Sequence, residues 1–185
     1  MSSSSRSLLF VTGNKGKAAE VAAIIGWDVD PVKLDLAEIQ SLSVEEVAAA
    51  KAMEAYRQLQ RPVVVDDSGM TIDALSGLPG ALLAWFLDTL GPDGILKLID
   101  RSANRRASVS TCIGYADAEG AKTFLGVIEG QLTTERRGAN GFGYDPIFIP
   151  DGQQLTFAEM SSEQKNAHSM RSIALLRLKA FLEAR

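Results

Sequence analysis

ASVSTCIGYA (107–116) and TFLGVIEGQLT (123–133), separated by DAEG (117–120), decide the fold class. Both runs are rich in β-branched and aromatic residues and the tetrapeptide between them has turn chemistry, so an antiparallel hairpin is expected. Toward the N-terminus the pattern changes. Ser7 to Thr12 reads as a buried strand, and Lys15 to Ile25 places Ala18, Val21, Ala22 and Ile25 at helical spacing before Gly26 stops the helix. Ser43 with Glu46 three residues on is a capping-box signal for an alanine-rich helix running to about Gln60. Pro62 ends that helix, and Val63 to Val65 are expected as a short apolar strand delivering Asp66 and Asp67 at its C-terminal end. Gly77, Pro79 and Gly80 precede two helical segments, Ala81 to Leu90 and Asp93 to Ile99, punctuated by Gly91 and Pro92. Beyond the hairpin, the glycine-rich Gly138 to Gly143 leads to a short strand, Pro146 to Ile149, and an amphipathic helix spans about Met170 to Ala184. Interleaved strands and helices with an antiparallel hairpin predict an α/β protein with a mixed sheet flanked by helices, not a purely doubly wound one.

The chain has 185 residues, 46% hydrophobic and 23% charged, which suits a single domain over 1–185 with a sizeable core and residues 1–6 frayed. Leu8 to Val11 is too short for a signal-peptide core and no stretch approaches a membrane span, so a cytoplasmic protein without a membrane partner is expected. The lone Cys112 sits in an apolar run and reads as a small hydrophobe. The net charge of −4 argues against a nucleic-acid footprint and directs attention to small nucleotides in a local basic pocket.

Thr12-Gly13-Asn14-Lys15-Gly16-Lys17 lies between a strand and a helix, where free N–H groups and the helix dipole favour an anion. The spacing is not that of a Walker A loop, and a tight turn with solvated lysines is the plainer reading. Asp66-Asp67-Ser68-Gly69 puts two carboxylates after an apolar strand, a costly arrangement unless a hard cation such as Mg²⁺ neutralises them. A strand-ending Asx turn is the alternative. Glu38, flanked by apolar residues, could add a carboxylate. Gly141-Phe142-Gly143-Tyr144-Asp145-Pro146 offers aromatic faces and a carboxylate suited to a purine, or else a turn whose rings pack inward. Lys165 and Arg171 place two cations just before or at the start of the last helix, by themselves a solvated face.

These four motifs, closed by Lys165-Asn166-Ala167, occur together in one order, and in that order the chain resembles the inosine triphosphatase family, the noncanonical purine nucleoside triphosphate pyrophosphatases, from about residue 8 to 180. The resemblance implies an elongated mixed sheet, two lobes with a nucleotide cleft between them, and a homodimer. It implies Mg²⁺-dependent cleavage of purine triphosphates such as ITP, dITP and XTP to the monophosphate and pyrophosphate. Glu38 and Asp67 match the metal-binding acids, and Asp67 the base that activates water. Thr12, Gly13, Asn14, Lys15, Gly16, Lys17, Ser68 and Lys165 match residues holding phosphates and sugar, with Lys51 a further phosphate ligand. Phe142, Gly143, Tyr144 and Asp145 match the base-binding segment, and Arg171 is expected to donate to a purine O6. One position departs: the family's Ser-His-Arg reads Ser169-Met170-Arg171 here. His168 could replace the lost imidazole only if Ser169 caps the helix and residue 168 precedes it. The same chemistry on a different base, or a nucleotide-binding module without catalysis, are the competing readings.

Overall fold

The computed structural model describes residues 7–99, 101 and 104–185; the fraying expected for residues 1–6 lies outside them. The chain runs β1 (Ser7–Val11), α1 (Lys15–Ile25), β2 (Asp28–Val32), α2 (Val44–Leu59), β3 (Val63–Ile72), β4 (Pro79–Gly80), α3 (Leu83–Lys97), β5 (Arg106–Asp117), β6 (Gly120–Leu132), β7 (Phe148–Pro150), α4 (Ser162–Ala167) and α5 (Met170–Glu183). One seven-stranded sheet has the order β2-β1-β3-β5-β6-β7, with β4 paired to β3. β1 is parallel to β2 and β3, whereas β3-β5, β5-β6 and β6-β7 are antiparallel, so the sheet is mixed as the hairpin predicts.

Local chemistry sets each boundary. Asn14 caps α1 and Gly26 ends it in the left-handed region, φ 68°. Ser43 caps α2 by accepting from the Glu46 N–H, but the Glu46 carboxylate turns to the Ser41 hydroxyl, so the box is one-sided. α2 buries Val44, Val47, Ala48, Ala52 and Ala55, a helical stripe of small residues laid on β3 and β5. Gly91, at φ 67° and ψ 173°, breaks α3 into the two segments expected from sequence.

Two strand glycines seat helices on opposite faces. A Cβ at Gly114 would lie 2.5 Å from the Ala48 carbonyl oxygen of α2, and one at Gly126 would lie 1.9 Å from the Met170 carbonyl oxygen of α5. Gly126→Ala therefore forces α5 off the sheet and should lower stability by at least about 2 kcal/mol in urea melts; a loss under about 0.5 kcal/mol would show that α5 is not so closely seated.

Two expectations change. β3 does not stop at Val65 but runs ten residues to Ile72, because β5 offers it an unbroken antiparallel ladder from Ala116 to Ala107. Asp66 and Asp67 are mid-strand, and no Asx turn forms there. Pro146 belongs to a one-turn 3₁₀ segment, 145–147, and the strand begins at Phe148. Lys165 lies just before α5, within the expected placement, on a short helix of its own, α4.

Candidate active site

The site starts from a gap in the sheet. β1 pairs with β3 only at Phe10–Val64 and Val11–Val65, and β4 rejoins the same side of β3 at Met70 and Thr71. Between them, Asp66, Asp67, Ser68 and Gly69 keep their β5 partners but have no strand on the β1 side. Gly69 is required there, since a Cβ would meet the Gly80 carbonyl oxygen at 2.9 Å. Successive strand residues point to opposite faces, so the two aspartates serve different neighbourhoods.

Asp67 meets Lys51 of α2. Its Oδ1 is 3.4 Å from Lys51 Nζ, which also donates to Glu38 Oε1 at 2.6 Å from the loop preceding α2. Its Oδ2 is buried with no hydrogen-bond partner among the described residues. Burial, with Glu38 and Asp66 adding to it and Lys51 and Lys17 opposing, pushes the Asp67 carboxyl up to about 6. Burial alone would depress Lys51, but Glu38 and Asp67 outweigh it and hold the ammonium above its ordinary range. The orphaned Asp67 oxygen and the Glu38 carboxylate are hard oxygen donors of the kind a divalent cation takes, while the Lys51 ammonium bridging them supplies no lone pair. Among the described residues no cluster of three or more His, Cys, Asp or Glu side chains forms, so protein ligands would come from Glu38 and Asp67, with water and phosphate completing the shell.

Asp66 meets the opposite face. Lys17 Nζ lies 3.1 Å from Oδ1, and Arg171 donates to Oδ2 through Nε at 3.4 Å and Nη2 at 3.2 Å. Burial disfavours the charge, yet Lys17 and Arg171 hold the Asp66 carboxyl below the usual range. Arg171 also reaches Glu20 of α1 through Nη1 and the Ser68 hydroxyl at 3.5 Å. Glu20 in turn accepts from Lys165 Nζ at 2.9 Å, and Lys165 donates to Asp145 at 2.7 Å. Six charges thus alternate in sign: Lys17, Asp66, Arg171, Glu20, Lys165 and Asp145. Such a buried chain holds only because every member has partners of opposite sign.

At its far end Asp145 also accepts from the Phe142 N–H at 2.8 Å, and Gly141 must be glycine because a Cβ there would lie 2.0 Å from Asp145 Oδ2. Burial raises the Asp145 carboxyl, with Lys165 opposing. Lys165 Nζ lies 4.5 Å from the Phe142 ring centroid, a cation–π contact that fixes the ring.

All of this opens into one cleft of about 820 Å³, within the range of small-molecule sites. Thr12, Gly13, Asn14, Lys17, Glu38, Lys51, Asp67 and Ser68 line it together with Phe142, Gly143, Tyr144, Asp145, Lys165 and Arg171. Lys15 and Gly16 do not. Nor are all the N–H groups at the start of α1 free for an anion: Asn14 Oδ1 accepts from Gly16 and Lys17, and Thr12 Oγ1 from Asn14. Tyr144 packs into the core and donates to Met170 Sδ at 3.8 Å. Ser169 does cap α5 and His168 does precede it, yet His168 is exposed beside a different depression, so it does not replace the missing imidazole. Cys112, opposite Asp67 on β5, is buried with its thiol pushed up to about 12, chiefly by burial, as expected of a packing residue.

Glu20 and Trp85 are among the lining or linking residues that the sequence did not single out. Glu20 had a signal, its position one turn after Lys17 on the same helix. Trp85, 72% exposed on α3, also lines the cleft; beside Phe86 in a helical run it reads simply as part of an apolar face.

A mixed sheet whose notch presents an ionisable buried carboxylate, two lysines and an aromatic, charge-lined end defines a nucleotide-binding hydrolase cleft. The comparisons with known proteins agree. A profile of the Ham1 family matches residues 8–181, and the chain belongs to that family. It is 47% identical over 174 residues to a dITP/XTP pyrophosphatase of Methanopyrus kandleri, covering 92% of this chain and 93% of that one. It is 43% identical over 182 residues to inosine triphosphate pyrophosphatase 2 of Trypanosoma cruzi, covering 96% and 93%. The Ham1 protein of Staphylococcus aureus superposes with a TM-score of 0.84 at 31% identity, covering 97% of this chain and 99% of that one.

Proposed function

We infer that the chain hydrolyses noncanonical purine nucleoside triphosphates, such as ITP, dITP and XTP, to the monophosphate and pyrophosphate, removing them from the nucleotide pool. The observation that carries the reading is Asp67: a buried carboxyl raised to about 6, with one oxygen unpartnered, in the floor of a cleft lined by Lys17 and Lys51. The unpartnered oxygen is the atom of Asp67 free to accept a proton from water. Asp67 receives the proton of the water that attacks the α-phosphorus, and Lys17 and Lys51 offset the charge that builds on the phosphate oxygens. Glu38 and Asp67 would hold Mg²⁺, which when bound neutralises phosphate charge and orients the triphosphate. Phe142 gives the purine a stacking face, and Lys165 and Asp145 stand at its edge. By the likeness to the family the working form is a homodimer in the cytoplasm; no helix among the described residues is long and apolar enough to cross a membrane.

The test is pyrophosphate release from ITP, dITP, XTP, GTP, ATP and pyrimidine triphosphates, with and without Mg²⁺. Monophosphate and pyrophosphate should appear together from the hypoxanthine and xanthine nucleotides, and chelation should stop the reaction. Diphosphate followed by orthophosphate would contradict attack at the α-phosphorus. Met170 motivates one second reading: its thioether, already facing Tyr144, is a poor substitute for an imidazole at a base edge. A shifted base preference in the same panel would support that reading.

A further inference from the structure

We propose that Asp66 is a positioning residue that ties the phosphate end of the cleft to its base end, holding Lys17 with one carboxylate oxygen and Arg171 with the other; this rests on the reading of the cleft given above. Asp67 faces Lys51 on one side of the sheet, while Asp66 faces α1 and α5 on the other, so adjacent acids do separate work. The Asp66 side chain is 3% exposed and Arg171 2%, whereas Lys17 is 22% exposed and reaches the cleft. Lys17 and Glu20 sit one turn apart on α1, and Glu20 accepts from Arg171, so Lys17, Asp66, Arg171 and Glu20 close a ring across three elements. Two cations flanking one site would repel each other and splay; the carboxylate between them screens that repulsion and sets their spacing. An ammonium has three donors. Lys17 can keep one on Asp66 and turn the others to a phosphate oxygen, so the anchor need not be broken when a triphosphate binds. Without the anchor, its long side chain must be ordered by the ligand itself, and Arg171 keeps only Glu20 and Ser68 as polar partners.

The experiment measures two quantities on each variant: affinity for pyrophosphate by titration calorimetry in Mg²⁺ buffer, and the ratio of kcat/KM for ITP to that for ATP. Lys17→Met should lower only the first and Arg171→Lys only the second. Asp66→Asn should lower both, each by about tenfold, while Asp66→Glu, which keeps the charge, should hold both within about threefold. Lys17→Met with Asp66→Asn removes one charge of each sign and serves where Asp66→Asn alone does not fold. The double variant should bind pyrophosphate no worse than Lys17→Met, because the anchor has nothing left to hold, and should show the lowered ITP:ATP ratio. Either Asp66→Asn variant, folded and with an ITP:ATP ratio within about twofold of its parent, overturns the inference. If Lys17→Met spares pyrophosphate affinity or Arg171→Lys spares the ratio, the assignment of the two ends fails and takes the inference with it; if both behave and the Asp66 variants do not, only the inference falls.

Discussion

Asp67→Asn is expected to lose turnover by about a thousandfold or more, since it removes the proton acceptor and a metal ligand while preserving shape. The metal-free variant should at the same time be more stable than the parent at neutral pH. The sign follows from linkage. The folded-state carboxyl titrates near 6, above its ordinary value of 3.8, so its contribution to stability is fully present below the unfolded pKa and is lost as pH rises through the folded one. Asparagine, never ionised, escapes that loss. The variant's advantage should be small at pH 4 and reach about 3 kcal/mol by pH 7.5, read from thermal melts in chelator. A well-folded variant that releases pyrophosphate near the parental rate would remove Asp67 from the mechanism, and a pH-independent stability difference would show that burial does not raise its carboxyl.

Arg171→Ala should have the largest effect on folding, about 3–5 kcal/mol, because it removes the buried guanidinium that Asp66 and Glu20 share and leaves Asp66 to Lys17 and Glu20 to Lys165. Where the variant can be assayed, kcat/KM should fall further for ITP than for ATP, since a guanidinium can donate to a 6-carbonyl but not pair with a 6-amino group. Equal losses on both substrates would confine Arg171 to holding its acids. A change in melting temperature under about 2 °C would show that the buried ion network is not what keeps this face together.

The order of elements was legible because each strong boundary had local chemistry: the Ser43 cap, Gly26, Gly91, and the turn after Asp117. What escaped had weak local signals or depended on distant partners. β2 reads Asp28-Val29-Asp30-Pro31-Val32, too polar for a buried strand, and is tolerated because it lies at the sheet edge, where a proline costs no ladder bond. The far half of β3 looked like a turn, since Ser68 and Gly69 are turn formers by composition; only the β5 ladder makes them strand. α4 is the exception, since Ser161 and Gln164 form a complete capping box that is visible in the sequence. The charged motifs pointed to the right cleft, but not to its wiring. Sequence cannot say that Asp66 and Asp67 face apart, that Asn14 occupies the helix start, or that Arg171 is buried among acids, because those are facts of three-dimensional neighbourhood.

The notch between β1 and β4 has a consequence for how such a protein can change. Its reactive carboxylate is mounted on a ten-residue strand zipped to β5 along its whole length, whereas the groups that would grip a purine come from a glycine-rich turn, a six-residue helix and the first residues of α5. The two sets of groups thus rest on different elements and are joined through the buried charge chain that runs from Asp145 to Lys17. A substitution at Phe142 or Met170, which carry no charge in that chain, should disturb Lys17 less than one at Asp145.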